Sequence, residues 1–281
     1  RTDKTRTIAI ISDHVATTRF ASGLIRGALA AAEKAKHVAL LLETGGDPAR
    51  ESQAIEAVLD RQVDGIIFAA MRSREVFVPD VIIPVPVVML NAASSKFPTA
   101  VIQDEYQGGR TAVRLLAESG VKDGIVLLGH NAEAEHGLFR SETVARRIAG
   151  IRDEMASRGL GFDVEISCWE WEPSNGYELV STLLKSMRPK GLVCLNDRLA
   201  FGTYQALAEA NLRVAEDVGI VSFDNDELAE YLRPGLTTIA LPHDAMGKKA
   251  VELLLDPAGR KETVLVPMAA VQRGSLLRAA D

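Results

Sequence analysis

The sequence has little cysteine, two residues in 281. Cys194 lies inside an apolar run and reads as a small core residue. Cys168 ends another run, and no disulfide is expected, because intracellular thiols normally stay reduced. A cationic excess is missing too. Lys and Arg number 32 against 38 Asp and Glu, a formal net charge of -6. That argues against a free-standing nucleic-acid-binding module, whose affinity rests on basic patches. No apolar run is long enough to span a bilayer, so no membrane partner is expected. Arg1–Arg6 is polar, with no apolar signal region after it. Catalytic signatures are absent: no Gly-x-Ser-x-Gly elbow, no phosphate loop and no dinucleotide fingerprint. His14, His37, His130, His136 and His243 lack the spacing of a helical zinc pair. Neither a metal nor a cofactor is expected, and the chain does not read as an enzyme.

What is present is ordinary globular composition, 47% hydrophobic and 25% charged, arranged as apolar strands alternating with amphipathic helices. Strands are expected at 7–12, 38–42, 65–69, 85–90, 125–128, 164–168, 192–195, 220–223 and 264–266. Helices are expected at 22–35, 48–61, 107–119, 141–158, 177–187, 199–210 and 245–255. Near-continuous apolar strands with helices between them imply parallel sheets covered on both faces. The pattern restarts near Ile125, so the expected fold class is α/β, with two doubly wound parallel-sheet lobes and a ligand cleft between them. Residues 101–106 and 237–242 read as crossings between lobes. The expected division is 1–103 with 242–260 as the N-terminal lobe and 104–241 with 261–281 as the C-terminal lobe.

Polar residues collect at the expected strand ends, where open parallel sheets bind ligands. Ser12 and Asp13 follow the first strand, and Asn91 follows the fourth. Asn196 and Asp197 end one later run, and Asp224 and Asn225 end the next. Trp169 and Trp171 follow another strand, Arg147 sits in the first turns of a long helix, and Phe20 stands at a helix start. Carboxylates accept hydroxyl hydrogens, amides accept and donate, and guanidinium donates in a fixed fork. With an aromatic face, the mixture suits a neutral polyhydroxylated ligand. Each residue also has a plainer reading: Asp13 and Asn196 as helix caps, Asn91 as a turn residue, Asp224 as part of a solvated acidic turn. Likewise Arg147 reads as a surface ion-pair partner, and Trp171 and Phe20 as packing residues.

The order of motifs adds to this. Gly23-Leu24-Ile25-Arg26-Gly27, Val63-Asp64-Gly65-Ile66-Ile67 and Gln103-Asp104-Glu105-Tyr106-Gln107-Gly108-Gly109-Arg110 come first. Arg146-Arg147-Ile148-Ala149-Gly150, Asn196-Asp197, Asp217 through Asp224, Leu236-Thr237-Thr238-Ile239 and Gln272-Arg273-Gly274-Ser275 follow. In this order they resemble the effector-binding core of LacI/GalR transcriptional regulators, and Arg1–Ile11 resembles the linker and first strand behind the DNA-binding head. The resemblance implies a type I periplasmic-binding-protein-like fold and a homodimer. It also implies a small-molecule effector, a sugar or sugar-like compound, and a cytoplasmic location. It carries effector contacts to Asp13, Phe20, Asn91, Arg147, Trp171, Asn196 and Asp224. Operator DNA would be reached only through a helix-turn-helix head, which this sequence lacks. Two positions depart from the family: Val121 stands where His is usual, and Asn91 where many members have Asp. His243 occupies a position that is aromatic in some relatives. The alternative with the same fold is a periplasmic sugar-binding receptor of a transport system.

Overall fold

Along β1 (Thr7–Ser12), Ile8 and Ile10 face one apolar cluster and Ala9 and Ile11 another, and none is more than 2% exposed. A strand apolar on both faces belongs inside a parallel sheet with helices above and below. The computed structural model describes residues 5–16, 18, 21–76, 78, 81–131, 141–256 and 262–277, with backbone alone at 72–75 and 142. Phe20 and His136 lie outside the described residues.

After β1 come α1 (Ser22–Lys34), β2 (Val38–Glu43), α2 (Pro48–Asp60), β3 (Gly65–Glu75), β4 (Val87–Ala93) and β5 (Ala100–Gln103). Next are α3 (Glu105–Glu118), β6 (Ile125–Leu128), α4 (Glu142–Ser157), β7 (Val164–Ile166), α5 (Pro173–Leu183) and β8 (Gly191–Cys194). The chain goes on through α6 (Asp197–Glu209), β9 (Gly219–Asp224), α7 (Glu227–Tyr231), β10 (Thr237–Ala240), α8 (His243–Leu255), β11 (Thr263–Val266) and β12 (Ala270–Val271).

These elements build two units, Arg1–Gln103 with Pro242–Val266 and Asp104–Leu241 with Pro267–Asp281. The first holds a parallel sheet of order β11-β5-β4-β3-β1-β2. The second holds β12-β10-β9-β8-β6-β7, parallel except where β12 runs against β10. The expected α/β class with parallel sheets covered on both faces is what the chain forms.

One expected boundary fails. The sequence places 261–281 in the second lobe, but β11 pairs in parallel with β5, Thr263 beside Ala100 through Val266 beside Gln103, and completes the first sheet, and only Pro267–Asp281 belongs to the second unit. A short strand with alternating exposure carries no mark of the sheet it joins. The segments read as crossings begin or end in strands, β5 and β10, and α7 and β12 are additional. Cys168 lies in the loop after β7, and Cys168 and Cys194 are both free thiols.

Within each unit, glycine lets paired helices touch backbone to backbone. A methyl group at Gly150 of α4 would stand 2.0 Å from the Tyr106 carbonyl oxygen of α3, and one at Gly109 of α3 2.3 Å from that of Arg147. Gly27 and Gly247 serve the α1–α8 pair in the same reciprocal way, and Gly176 and Gly202 the α5–α6 pair. Asp47, Asp104, Ser141 and Asn196 cap α2, α3, α4 and α6 by accepting a backbone N–H.

Candidate functional site

In the first unit Asp13 and Asn91 converge on Met71, and Asn91, expected after the fourth strand, lies inside β4. The Asp13 carboxylate accepts the N–H of Met71 at 2.9 Å and of His14 at 2.6 Å. Asn91 Nδ2 donates to the carbonyls of Ala70, at 2.9 Å, and Met71, at 3.1 Å. Together they pin β3 where its register with β4 shifts between Ala69 and Arg74. Asp13 therefore caps no helix, since α1 begins after Ala21 without a side-chain cap. Asn91 has a left-handed φ of 50°, which Asn tolerates better than most residues. Two carbonyls hold its amide nitrogen, so Oδ1 points away from them. That oxygen is buried and has no hydrogen-bond partner among the described residues. His243 begins α8 in this unit and is buried.

The second unit gathers more of the expected residues. The close α3–α4 approach at Gly109 and Gly150 brings Arg147 against Glu105, in the first turn of α3. Arg147 Nε donates to Glu105 Oε2 at 2.6 Å and Nη2 to Oε1 at 2.7 Å, a bidentate pair. Nη1 donates to the Leu195 carbonyl at 2.5 Å, and the guanidinium carbon lies 4.2 Å from the centre of the Phe223 ring. Asp224 Oδ1 lies 3.9 Å from Arg147 Nη2. Burial works against the charged guanidinium, but Glu105, Asp224 and Asp197 outweigh it and raise the pKa of Arg147. The same burial holds the Asp224 carboxyl well above the usual carboxylate range, despite the arginine's opposing pull. Asp224 is no solvated turn: its side chain is 10% exposed and its φ is 105°. Arg147 is not a surface ion-pair residue either.

Asn196 fulfils its plainer reading while standing in the expected place. Its Oδ1 accepts the Leu199 N–H at 2.8 Å as the α6 cap, and its Nδ2 donates to the Trp171 carbonyl at 3.2 Å. Trp171 is half-buried, packs into both apolar clusters of the unit, and donates through Nε1 to the Gly129 carbonyl at 2.9 Å.

Two acids matter more than sequence reasoning gave them credit for. Glu105 was noticed only inside a motif; its partner is 42 residues away, and only an acid in a helix's first turn hinted at it. Asp197 is fully buried, accepts hydrogen bonds from the Ser222 hydroxyl and the Asp226 N–H, and has its carboxyl raised by burial to about 6. Its position after an apolar run was visible, but its burial was not.

Buried polar side chains near the carboxyl ends of parallel strands, which each unit carries, are groups that can hold a small polar molecule without a nucleophile or cofactor. Residues 113–276 match the family described as a periplasmic binding protein-like domain. The chain belongs to that family. It is 29% identical over 276 residues to the HTH-type transcriptional repressor PurR of Vibrio campbellii, spanning 92% of this chain and 77% of the repressor. A crystal structure of a putative LacI-family transcriptional regulator from Rhizobium etli is 26% identical, covers 98% of this chain and all of its own, and superposes with a TM-score of 0.87. A LacI-family regulator from Enterococcus faecium, crystallised with bound ribose, is 28% identical, with coverage of 98% and 100% and a TM-score of 0.75. The chain is thus an effector-binding core of the LacI/GalR type, and these relatives favour a regulator over a transport receptor. No helix among the described residues is long and apolar enough to cross a membrane.

Proposed function

We propose that this core binds a small, neutral, polyhydroxylated effector and, as a homodimer in the cytoplasm, transmits its occupancy to operator DNA through a helix-turn-helix head outside residues 1–281. The proposed contacts are Asp13, Phe20 and Asn91 on the first unit and Arg147, Trp171, Asn196 and Asp224 on the second. The output is the change that effector binding makes in the core, and the ligand leaves unchanged.

One observation carries the reading. Asp224 has a largely buried carboxylate 3.9 Å from an arginine, with no hydrogen bond of its own among the described residues. Ligand hydroxyls would supply the missing donors, and Arg147, which spends three of its five N–H groups on Glu105 and Leu195, has donors left for an acceptor. The bound ribose of the Enterococcus faecium relative makes pentoses the first probes.

The test is a thermal-shift screen over pentoses, hexoses, polyols, sugar acids and nucleosides, followed by calorimetry. A ligand at a hundred times its Kd adds about 2.7 kcal/mol of stability. Leaving a buried hydrogen-bonding group of the ligand unpaired costs about 1–3 kcal/mol, so Asp224→Ala should weaken the best ligand by about fivefold to a hundredfold. No stabilising compound, or unchanged affinity in Asp224→Ala, overturns the proposal.

A further inference from the structure

A cavity of about 490 Å³ opens in the second unit, lined by none of the proposed effector contacts. Asn131, beyond β6, lines it together with Ser167, Trp169 and Glu170 of the loop after β7 and with Asn175 and Glu178 of α5. Its size is that of small-molecule sites. The Trp169 indole is 62% exposed, an unusual cost for the largest apolar side chain unless its face is covered by something else. Neither Glu170 nor Glu178 has an ion-pair partner among the described residues.

We infer that this cavity is a second sugar-ring subsite, and that the effector is a glycoside or oligosaccharide rather than a free monosaccharide. An exposed indole offers a flat face to the C–H side of a pyranose or furanose. Carboxylates accept hydrogen bonds and amides both accept and donate, which matches the hydroxyl rim of such a ring. A planar base would stack on the indole equally well but would bring few donors for two carboxylates.

The place of the cavity in the sheet supports one extended ligand. Strand order in this stretch is β9-β8-β6-β7. Asp224 ends β9, Asn196 follows β8, and the cavity lies beyond the carboxyl ends of β6 and β7. Along that edge the midpoint of β6 and β7 is one and a half strand spacings, roughly 7 Å, from β8 and two and a half, roughly 12 Å, from β9. Two loops connect the places. The loop after β7 puts Trp169 on the cavity and Trp171, two residues on, under Asn196. The segment after β6 bonds Trp171 at Gly129 and reaches the cavity at Asn131. A saccharide of two or three rings spans that distance.

This inference rests on the reading of Arg147, Asn196 and Asp224 as effector contacts, and the experiment separates the two. Calorimetry on the full chain compares maltose, cellobiose, lactose, sucrose and xylobiose with their constituent monosaccharides. At least one disaccharide should bind tighter than its better monosaccharide by about tenfold, the worth of one hydrogen bond to a charged group. Trp169→Ala and Glu178→Gln, both surface changes, should each reduce that ratio and leave monosaccharide affinity as it was. Trp169→Phe should restore most of it. An unchanged ratio in Trp169→Ala overturns the subsite while leaving the monosaccharide site standing. Saturable quenching of Trp169 fluorescence by spermidine or arginine, with no response to any saccharide, assigns the cavity to organic cations and overturns it too. If no saccharide of either size binds, the effector reading fails and this inference fails with it.

Discussion

Arg147 and Glu105 form a two-point ion pair between neighbouring helices, with hydrogen bonds of 2.6 and 2.7 Å and side chains 4% and 1% exposed. A pair so enclosed gains little over apolar residues of the same shape, yet removing one partner strands a charge in the interior. Its value lies in aim: Glu105 takes two of the arginine's edges and leaves the others towards Leu195 and Asp224.

Glu105→Gln should therefore destabilise the chain by about 3–5 kcal/mol, whereas the paired change Glu105→Leu with Arg147→Met should cost much less. Urea unfolding of the single and double variants gives the coupling. Additive losses would mean that the pair is not the buried unit described.

Asp197 makes stability depend on pH. Burial, opposed by hydrogen bonds from Ser222 and its other neighbours, raises its carboxyl from the ordinary 3.8 to about 6, so the folded chain holds that proton more tightly than the unfolded one. The stabilisation is complete below about pH 4 and is lost as pH rises through about 6, an effect on the order of 3 kcal/mol. Asp197→Asn has no such proton. Its unfolding free energy, measured against the parent from pH 4 to 7, should gain on the parent across that window. Parallel profiles would refute the assignment.

Gly150→Ala reverses a common rule. Alanine usually stabilises a helix relative to glycine by about 1 kcal/mol. Here its methyl group meets the Tyr106 carbonyl at 2.0 Å, and overpacking of this kind costs about 1–3 kcal/mol or more. Gly161→Ala, where a methyl group meets nothing within 4 Å, serves as the comparison and should be neutral or stabilising. A higher melting temperature for Gly150→Ala would show that α3 and α4 do not touch as described.

Asn196 combines a cap with a proposed contact, and two substitutions separate them. Ser caps as well as Asn, whereas Ala loses about 0.5–2 kcal/mol. Asn196→Ser should keep most of the stability and lose effector affinity, and Asn196→Ala should lose both. Full affinity in Asn196→Ser would leave Asn196 with the cap alone.

Much of the fold was legible because its code is local. Ile8, Ile10, Val126 and Leu128 belong to runs that only a strand buried on both faces would carry, and the helices between them showed their own period. β5 and β10 were harder because they lie where the chain passes from one unit to the other and read as crossings, and β12 is only two residues long. β11 was read as a strand but given to the wrong sheet, because pairing partners are not encoded in a strand of four residues. The candidate site was legible by residue type and not by geometry. Asn196 and Asp224 stood at strand ends in sequence as they do in space, whereas Asn91, expected to follow its strand, lies inside β4. That Asp13 and Asn91 share Met71, that Glu105 anchors Arg147, and that Asp197 is sealed from water depend on contacts between distant residues.

The return of α8 and β11 to the first unit sets a timetable for synthesis. Leu24, Ala28 and Ile67 share an apolar cluster with Met246, Ala250 and Leu254. Those partners reach the growing chain only after the whole second sheet except β12 has been made. Residues 5–103 therefore leave the ribosome with one flank of their sheet only partly covered, by α1 alone. They must wait until α8 has been made, although domains generally fold as units from the N-terminus onward. A ribosome stalled after β10 would display an unfinished first unit with its greasy side partly bare, a natural target for chaperones.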